Sequence, residues 1–206
     1  WKHTQQDDEV YCLILSQGVA SRYYGQVAPE FSQFPQDQSP LTRIGEEIRQ
    51  FEFEKVMTFL GARWSSCRNF PDNQFDQISV LSISKEIEEA MKWIKPEIVY
   101  THTEHDLNAD HQITFRATLT ACRPLSNVKE FYSFEIPWST FTTFNPTVFI
   151  EINIDKKLEA LKMYGSELRD SPHPRSLEKV RALAQYRGGL AGLPCAEAFE
   201  VIRWVK

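Results

Sequence analysis

Apolar runs of strand length and apolar stretches of helical spacing alternate along the first two thirds of this chain, and that alternation limits the fold more than any other feature. Val10-Tyr11-Cys12-Leu13-Ile14-Leu15 is a short unbroken apolar run that stops at Ser16-Gln17-Gly18, the pattern of a strand covered on both faces. Between about Leu41 and Leu60 the positions Ile44, Ile48, Phe51, Val56, Phe59 and Leu60 recur at helical intervals, with Gly61 after them as a stop, which predicts a helix. Ala62 to Cys67 is a candidate strand, Asn69-Phe70-Pro71-Asp72-Asn73 has loop chemistry, and Ile83, Ile87, Met91 and Ile94 mark a helix that Pro96 ends. Glu97 to Tyr100 then reads as a strand, and Ile113 to Cys122 as a helix closed by Pro124. Lys129 to Ile136 and Val148 to Ile152 read as strands, Leu158 to Leu168 and Leu177 to Tyr186 as helices, and Phe199 to Val205 as a last strand.

The alternation predicts an α/β fold, a Rossmann-like three-layer sandwich with a mainly parallel sheet, because parallel neighbours need a crossover between them. A chain of 206 residues, 42% of them hydrophobic, can bury one sizeable core, so residues 1–206 are expected to form a single domain. The formal charge of -5 and the lack of any Lys and Arg cluster weigh against nucleic acid or an anionic membrane surface as partner. A small neutral or mildly polar ligand fits better, and homo-oligomerisation is left open. Cys12, Cys67, Cys122 and Cys195 lie far apart without a C-x-x-C, which reads as reduced core cysteines and a cytoplasmic protein. No apolar run reaches the roughly 18 residues that a membrane span needs, and no charged-then-apolar leader opens the chain.

Residues Tyr100 to Pro124 hold the densest chemistry. His102, His105 and His111 stand among Glu104, Asp106 and Asp110, where an apolar strand ends and a helix begins. In sheets of this kind ligands collect at the carboxyl ends of strands, and imidazole with carboxylate is the donor set that zinc and similar divalent metals take. There is no H-E-x-x-H and no complete local ligand set, so this loop supplies part of a site at most. Asp110, just ahead of the helix, is a candidate cap for its free N–H groups. The bland alternative is a polar loop with surface histidines.

The segment "THTEHDLNADHQITFRATLTACRP" resembles the second conserved segment of the PIG-L/LmbE family, zinc-dependent N-deacetylases of N-acetylglucosaminyl compounds, in the subgroup that carries D-x-N-x-D-H. The resemblance continues in "IRQFEFEKVMTFLG" (R-x-x-E, then L-G), in the F-P-D of "FPDNQFD", and in the H-P-R-S, R-G and A-E-A-F of "HPRSLEKVRALAQYRGGLAGLPCAEAFEVIR". It covers the chain from about Val10 to Arg203.

One departure stands against this agreement. The family's first motif, A-H-P-D-D-E, which supplies a His and an Asp as zinc ligands and another Asp as general base, is not in this sequence. "HTQQDDEV", with His3, Asp7, Asp8 and Glu9, leads directly into the first apolar run, as family members do after their first helix, so a solvated turn is its plainer reading. By this resemblance the sequence begins inside the family's first helix. Loss of a central strand would leave backbone groups unpaired at about 1–3 kcal/mol each if buried. An upstream segment, or another element in that slot, is therefore expected.

The resemblance implies roles residue by residue. His111 aligns with a zinc ligand, and Asp110 with its neighbour in the second shell. Asn108 stands where many members carry a histidine that polarises or protonates the tetrahedral intermediate; an amide donates a hydrogen bond but no proton, so the acid role passes to His102 or His105. Arg49 is matched to a substrate-binding arginine, against an ion pair with acids of its own helix. Asp72 is matched to a sugar-hydroxyl ligand, against simple turn chemistry. Arg175 and Ser176 form either a substrate lip or a helix cap. Trp64, Trp93 and Trp204 are expected in core or sheet packing, and Trp138 is the tryptophan left free to serve as a sugar platform. The implied activity is zinc-assisted hydrolysis of the N-acetyl group of an N-acetylglucosamine-type sugar or glycoconjugate. The alternative is a non-catalytic relative that binds carbohydrate or a partner. A nucleotide-binding Rossmann domain has no glycine-rich phosphate loop here to support it.

Overall fold

The computed structural model describes residues 1–19, 40–65, 68, 70–124, 126–137, 139–140 and 144–206. The elements run β1 (Tyr11–Leu13), α1 (Pro40–Leu60), β2 (Arg63–Ser65), α2 (Val80–Ile94), β3 (Ile98–His102), α3 (Ala109–Ala121), β4 (Glu130–Phe134), β5 (Val148–Glu151), α4 (Ile154–Lys162), α5 (Leu177–Leu190) and β6 (Ala196–Trp204). The α/β class is as expected. β1 and β2 pair in parallel, with Tyr11 opposite Arg63. A four-stranded sheet has the order β3-β4-β6-β5. In it β3 and β4 are parallel, with Ile98 opposite Glu130 and His102 opposite Phe134, while β6 lies antiparallel to both β4 and β5. The described sheet is therefore mixed. It is parallel where one helix separates consecutive strands and antiparallel where β6 returns between β4 and β5.

Helices α2 and α3 pack on each other and supply the main core, in which Leu15, Phe75, Ile83, Ile87, Ala117 and Ala121 are buried together. A second cluster gathers Cys122, Val128 and Phe131 under β4. Helix α1 departs from its sequence pattern. Ile44, Ile48 and Phe51, three of the apolar positions that mark the helix, are 54%, 47% and 63% exposed, and its buried face is Thr42, Glu52, Phe53 and Val56. The apolar spacing identifies the helix correctly but not the side it buries.

Two tryptophans also depart from expectation. Trp93, on the last turn of α2, is 85% exposed, and Trp204, at the end of β6, is 61% exposed; Lys206 sits 5.5 Å over the ring of Trp204. Trp138, like Cys67, lies outside the described residues, and nothing is described of the Trp64 side chain beyond its place in β2. Cys12, Cys122 and Cys195 are free thiols, the last two buried. Helix α4 starts at Ile154 because Asn153 accepts from the Lys156 N–H at 3.0 Å, an N-cap that sets it four residues ahead of the apolar pattern. No described helix is long and apolar enough to cross a membrane.

Candidate functional site

β1, β3 and β4 end on a broad cleft of about 2040 Å³. The residues that bear on its chemistry are Arg49, Asp72, Asn108, His111, Arg175 and Arg187, all on its wall.

The loop after β3 is organised by one buried carboxylate. Asp106 is 1% exposed. Its Oδ1 accepts from the Asn108 N–H at 2.8 Å, its Oδ2 accepts from the Ser139 hydroxyl at 2.8 Å, and the same Oδ2 lies 3.0 Å from Nδ1 of His111. Its backbone carbonyl accepts from the Gln112 side chain at 2.5 Å. Burial works to raise the Asp106 carboxyl, and the contacts with His111, the Asn108 N–H and Ser139 outweigh it, so the pKa lies below the ordinary carboxylate value. Nδ1 of His111 is buried while the ring keeps 24% of its surface and lines the cleft. Nε2 is thus the ring nitrogen left to face a ligand.

Helix α3 begins at Ala109 because Asn108, not Asp110, is its N-cap. The Asn108 side-chain oxygen accepts from the N–H groups of Asp110 at 2.8 Å and His111 at 3.4 Å, the geometry expected of an Asn cap. Its amide nitrogen points to Asn73 Oδ1 at 3.4 Å. Asp110 turns the other way, its carboxylate accepting from the backbone N–H groups of Asn73 at 2.7 Å and Phe75 at 3.0 Å. Burial raises its pKa, and these two hydrogen bonds oppose that rise. Asp110 therefore fastens the F-P-D loop to α3, in place of the capping role its sequence position suggests.

His102 stacks on His111, with ring centroids 4.1 Å apart and planes 14° apart, and leans on Phe134 at 5.0 Å. Burial, with the neighbouring His111 adding to it, pushes its pKa down to about 3, so it is neutral at neutral pH and holds no spare proton. His105 is exposed and lies 4.0 Å from Glu104. Of the two rings named for the acid role, one is buried against its neighbours and the other is exposed.

Arg49 makes the ion pair that was its alternative reading, and a second one. It lies 3.7 Å from Glu52 on its own helix and pairs with Glu167, which also pairs with Arg175. Glu52, 8% exposed, accepts from the N–H of Ser166 at 2.9 Å and from its hydroxyl at 2.6 Å. Burial is the main influence lowering the Arg49 pKa, and Glu52 pushes it back up. Both the wall position and the ion pairs hold for this residue, so a substrate would meet a guanidinium already braced by carboxylates. Ser176 caps α5 through the Lys179 N–H at 3.3 Å, while Arg175 remains on the cleft wall. Also on the wall, Arg187 and Glu135 form two parallel hydrogen bonds of 2.7 Å.

In the N-terminal stretch, His3 hydrogen-bonds Asp8 at 2.8 Å and the Tyr100 hydroxyl at 2.9 Å. His3 keeps 33% and Asp8 50% of its side-chain surface, and Asp7 and Glu9 are exposed, so the stretch is solvated as expected. Among the described residues no group of three or more His, Cys, Asp or Glu side chains is placed to hold a metal ion. His111 fits one ligand position by its freed Nε2 and its carboxylate backing; the rest of a ligand set is not assembled among these residues. Ser139 and Glu167 had no signal in the local pattern, since their partners lie up to 118 residues away; Asp106 and Glu52 stood inside motifs, but not in the roles the structure gives them.

Residues 1–122 match the model of the PIG-L family, described as GlcNAc-PI de-N-acetylase. No curated protein matches the chain. Among solved structures, the chain is 16% identical to the 4-carboxy-2-hydroxymuconate hydratase of Pseudomonas putida, with a TM-score of 0.73 over 98% of this chain and 87% of that one. It is 16% identical to the N,N'-diacetylchitobiose deacetylase of Pyrococcus horikoshii, with a TM-score of 0.72 over 98% of this chain and 75% of that one. It is 14% identical to a zinc-inhibited form of a teicoplanin deacetylase, with a TM-score of 0.70 over 96% and 88%. At these identities the three structures show a shared fold, and that fold serves both a hydratase and deacetylases.

Proposed function

Because the chain belongs to the PIG-L family, we propose that it hydrolyses the N-acetyl group of an N-acetylglucosamine-type sugar or glycoconjugate, with residues 1–206 as its deacetylase domain. The observation that carries this reading is the placement of His111. A family-matched histidine stands at the carboxyl end of β3, with one nitrogen against buried Asp106 and the other free for the cleft. A divalent metal bound there would supply Lewis-acid polarisation of the acetamide carbonyl and of the attacking water. His111 would be one ligand among the three or four such a site needs.

The chain's own residues account for binding and orientation. Asn108 has its oxygen engaged in the cap, so its amide N–H groups are what it can offer to a substrate oxygen. Asp72 on the F-P-D loop would accept from sugar hydroxyls. Arg49 and Arg175, bridged by Glu167, would meet a polar or anionic substituent of the substrate. A water adds to the amide carbon, the C–N bond breaks, and acetate and a free amine leave.

A non-catalytic carbohydrate-binding domain is the second reading. It draws on the lack of a three-ligand group among the described residues and on the neutral His102. The two are separated by incubating purified protein, with zinc added, with a panel of N-acetyl sugars and measuring acetate release and bound metal. Release of acetate together with about one zinc per chain supports the hydrolase, and His111→Ala should lose both. Saturable sugar binding without acetate supports the binding module and sinks the hydrolase.

A further inference from the structure

The R-G of α5 and the strand end it meets have no part in the chemistry above. Glu135 is the first residue past β4, and β4 runs parallel to β3 with Phe134 in register with His102. The pairing continues one step further, where the Thr103 N–H donates to the Phe134 carbonyl at 3.0 Å. Glu135 therefore stands about 5 Å, one strand spacing, from the root of the loop that carries Asn108 and His111, at the end of the sheet where ligands collect. Arg187 reaches it from α5, 52 residues on.

Arg187 donates through Nε to one oxygen of Glu135 and through Nη2 to the other, and both residues are largely buried on the cleft wall. A pair desolvated to this degree stabilises a fold little more than apolar side chains of the same size would, so its use on a cleft wall calls for another reason. Arg187 Nη1 makes no hydrogen bond among the described residues and keeps contact with solvent. Each Glu135 oxygen has accepted one N–H and has capacity for another. The rings of Phe144 and Tyr186 lie 5.4 Å and 5.3 Å from the guanidinium carbon, so stacking as well as the fork fixes the plane of the donors. The Glu135 hydrogen bonds raise the pKa of Arg187 against the opposing effect of burial, which keeps it charged.

We propose that Glu135 and Arg187 form a subsite for a neutral sugar, in which Arg187 Nη1 donates to one ring hydroxyl and a Glu135 oxygen accepts from its neighbour. The inference rests on the sugar reading of the cleft given above and deepens it by naming the groups this wall takes. A hydroxyl both donates and accepts, so adjacent hydroxyls match a fixed donor beside a fixed acceptor. An ionised carboxylate or phosphate only accepts, and it would stand against the Glu135 charge with the Arg187 charge already neutralised. Arg49 and Arg175 differ in this respect: there two guanidinium groups share Glu167, whereas Arg187 has a carboxylate for itself. The cleft thus carries a wall for neutral hydroxyls apart from the arginines that meet a polar or anionic substituent.

The test is titration of the purified protein with N-acetylglucosamine, read by calorimetry and by nitrogen NMR of the arginine side chains, with inorganic phosphate as a second titrant. The sugar is expected to shift the Arg187 Nε resonance saturably, and phosphate to leave it in place. Glu135→Gln and Arg187→Lys should each weaken sugar binding roughly 10–100-fold. Arg187→Met combined with Glu135→Leu keeps the wall packed, so it should melt near the wild type while sugar affinity falls at least as far; a merely structural pair would leave that affinity unmoved. If the variants do not fold, the wild-type resonances decide. An Arg187 resonance that phosphate moves and sugar does not, or a folded double variant that binds sugar as tightly as the wild type, overturns the proposal. Sugar bound at Arg187 with no acetate released sinks the deacetylase reading and leaves this one standing, whereas acetate released with Arg187 unmoved at saturating sugar does the reverse.

Discussion

Asp110 reaches back from the first turn of α3 to accept the backbone N–H of Asn73 at 2.7 Å, across 37 residues of chain. Asn73 has a positive φ of 55°, a conformation Asn tolerates better than most residues. The carboxylate therefore holds a turn that other side chains would resist forming. With the second hydrogen bond to Phe75, it places the F-P-D loop beside the start of the helix that carries His111.

Asp110→Ala should cost about 2–3 kcal/mol of stability, since it removes two hydrogen bonds to a buried charged acceptor. Asp110→Asn should recover part of this, because an amide oxygen can still accept one N–H. Urea denaturation of the three proteins checks the order. Equal stability of wild type and Asp110→Ala would show that the F-P-D loop is held by other means.

Stability should fall as the pH drops from about 6.5 towards 3, in part through His102. Its folded pKa is pushed down to about 3 from an ordinary 6.5, so between those values the unfolded chain binds a proton that the folded chain refuses. The slope is positive with pH and approaches about 1.4 kcal/mol per unit for one group. His102→Phe keeps a ring against His111 and Phe134 and should flatten this part of the profile. Parallel profiles for the two proteins would show that His102 titrates normally.

Arg187 and Glu135 are both largely buried, at 13% and 14% side-chain exposure. Arg187→Met should therefore destabilise by roughly 3–5 kcal/mol, because it strands a buried carboxylate. Adding Glu135→Leu should restore much of the loss. A double-mutant cycle measured by thermal unfolding reads the coupling, and a double variant no more stable than Arg187→Met would show that the pair's worth lies elsewhere.

Gly188 admits no side chain. A Cβ there would stand 2.6 Å from the Leu193 carbonyl oxygen and 2.8 Å from the Cys195 nitrogen, both backbone atoms that cannot swing aside. Gly188→Ala should cost about 1–3 kcal/mol or more through forced backbone shifts, while Gly189→Ala, with nothing within 4 Å, should be neutral or stabilising. Similar melting temperatures for the two would contradict this packing.

What was legible in the sequence follows from the range over which each feature is determined. Helix α2 and strand β3 depend on local apolar pattern and on Pro96, and they lie within a residue or a few of where that pattern puts them. Helix α3 starts earlier than its apolar spacing suggests because its start is set by the Asn108 side chain, and Asn and Asp two positions apart are equally good caps on paper. The choice between them was made by Asn73 and Phe75, far back in the chain, which claim Asp110. The same holds for Asp106: one acid among several in the loop, it becomes the hub only because Ser139, 33 residues on, folds over it. In α1 the periodic positions Ile44, Ile48 and Phe51 misled as to the buried face, since Glu52 is drawn inward by Ser166 and Arg49.

Glu200, on β6, accepts from the Thr103 hydroxyl at 3.1 Å, the Ser133 hydroxyl at 3.0 Å and the Asn145 N–H at 2.7 Å. Three separate stretches of chain are thereby riveted to one side chain just below the loop after β3. Residues 104, 105 and 107 lie above that rivet and are exposed. Those three positions can therefore be rewritten without unseating the root of the loop.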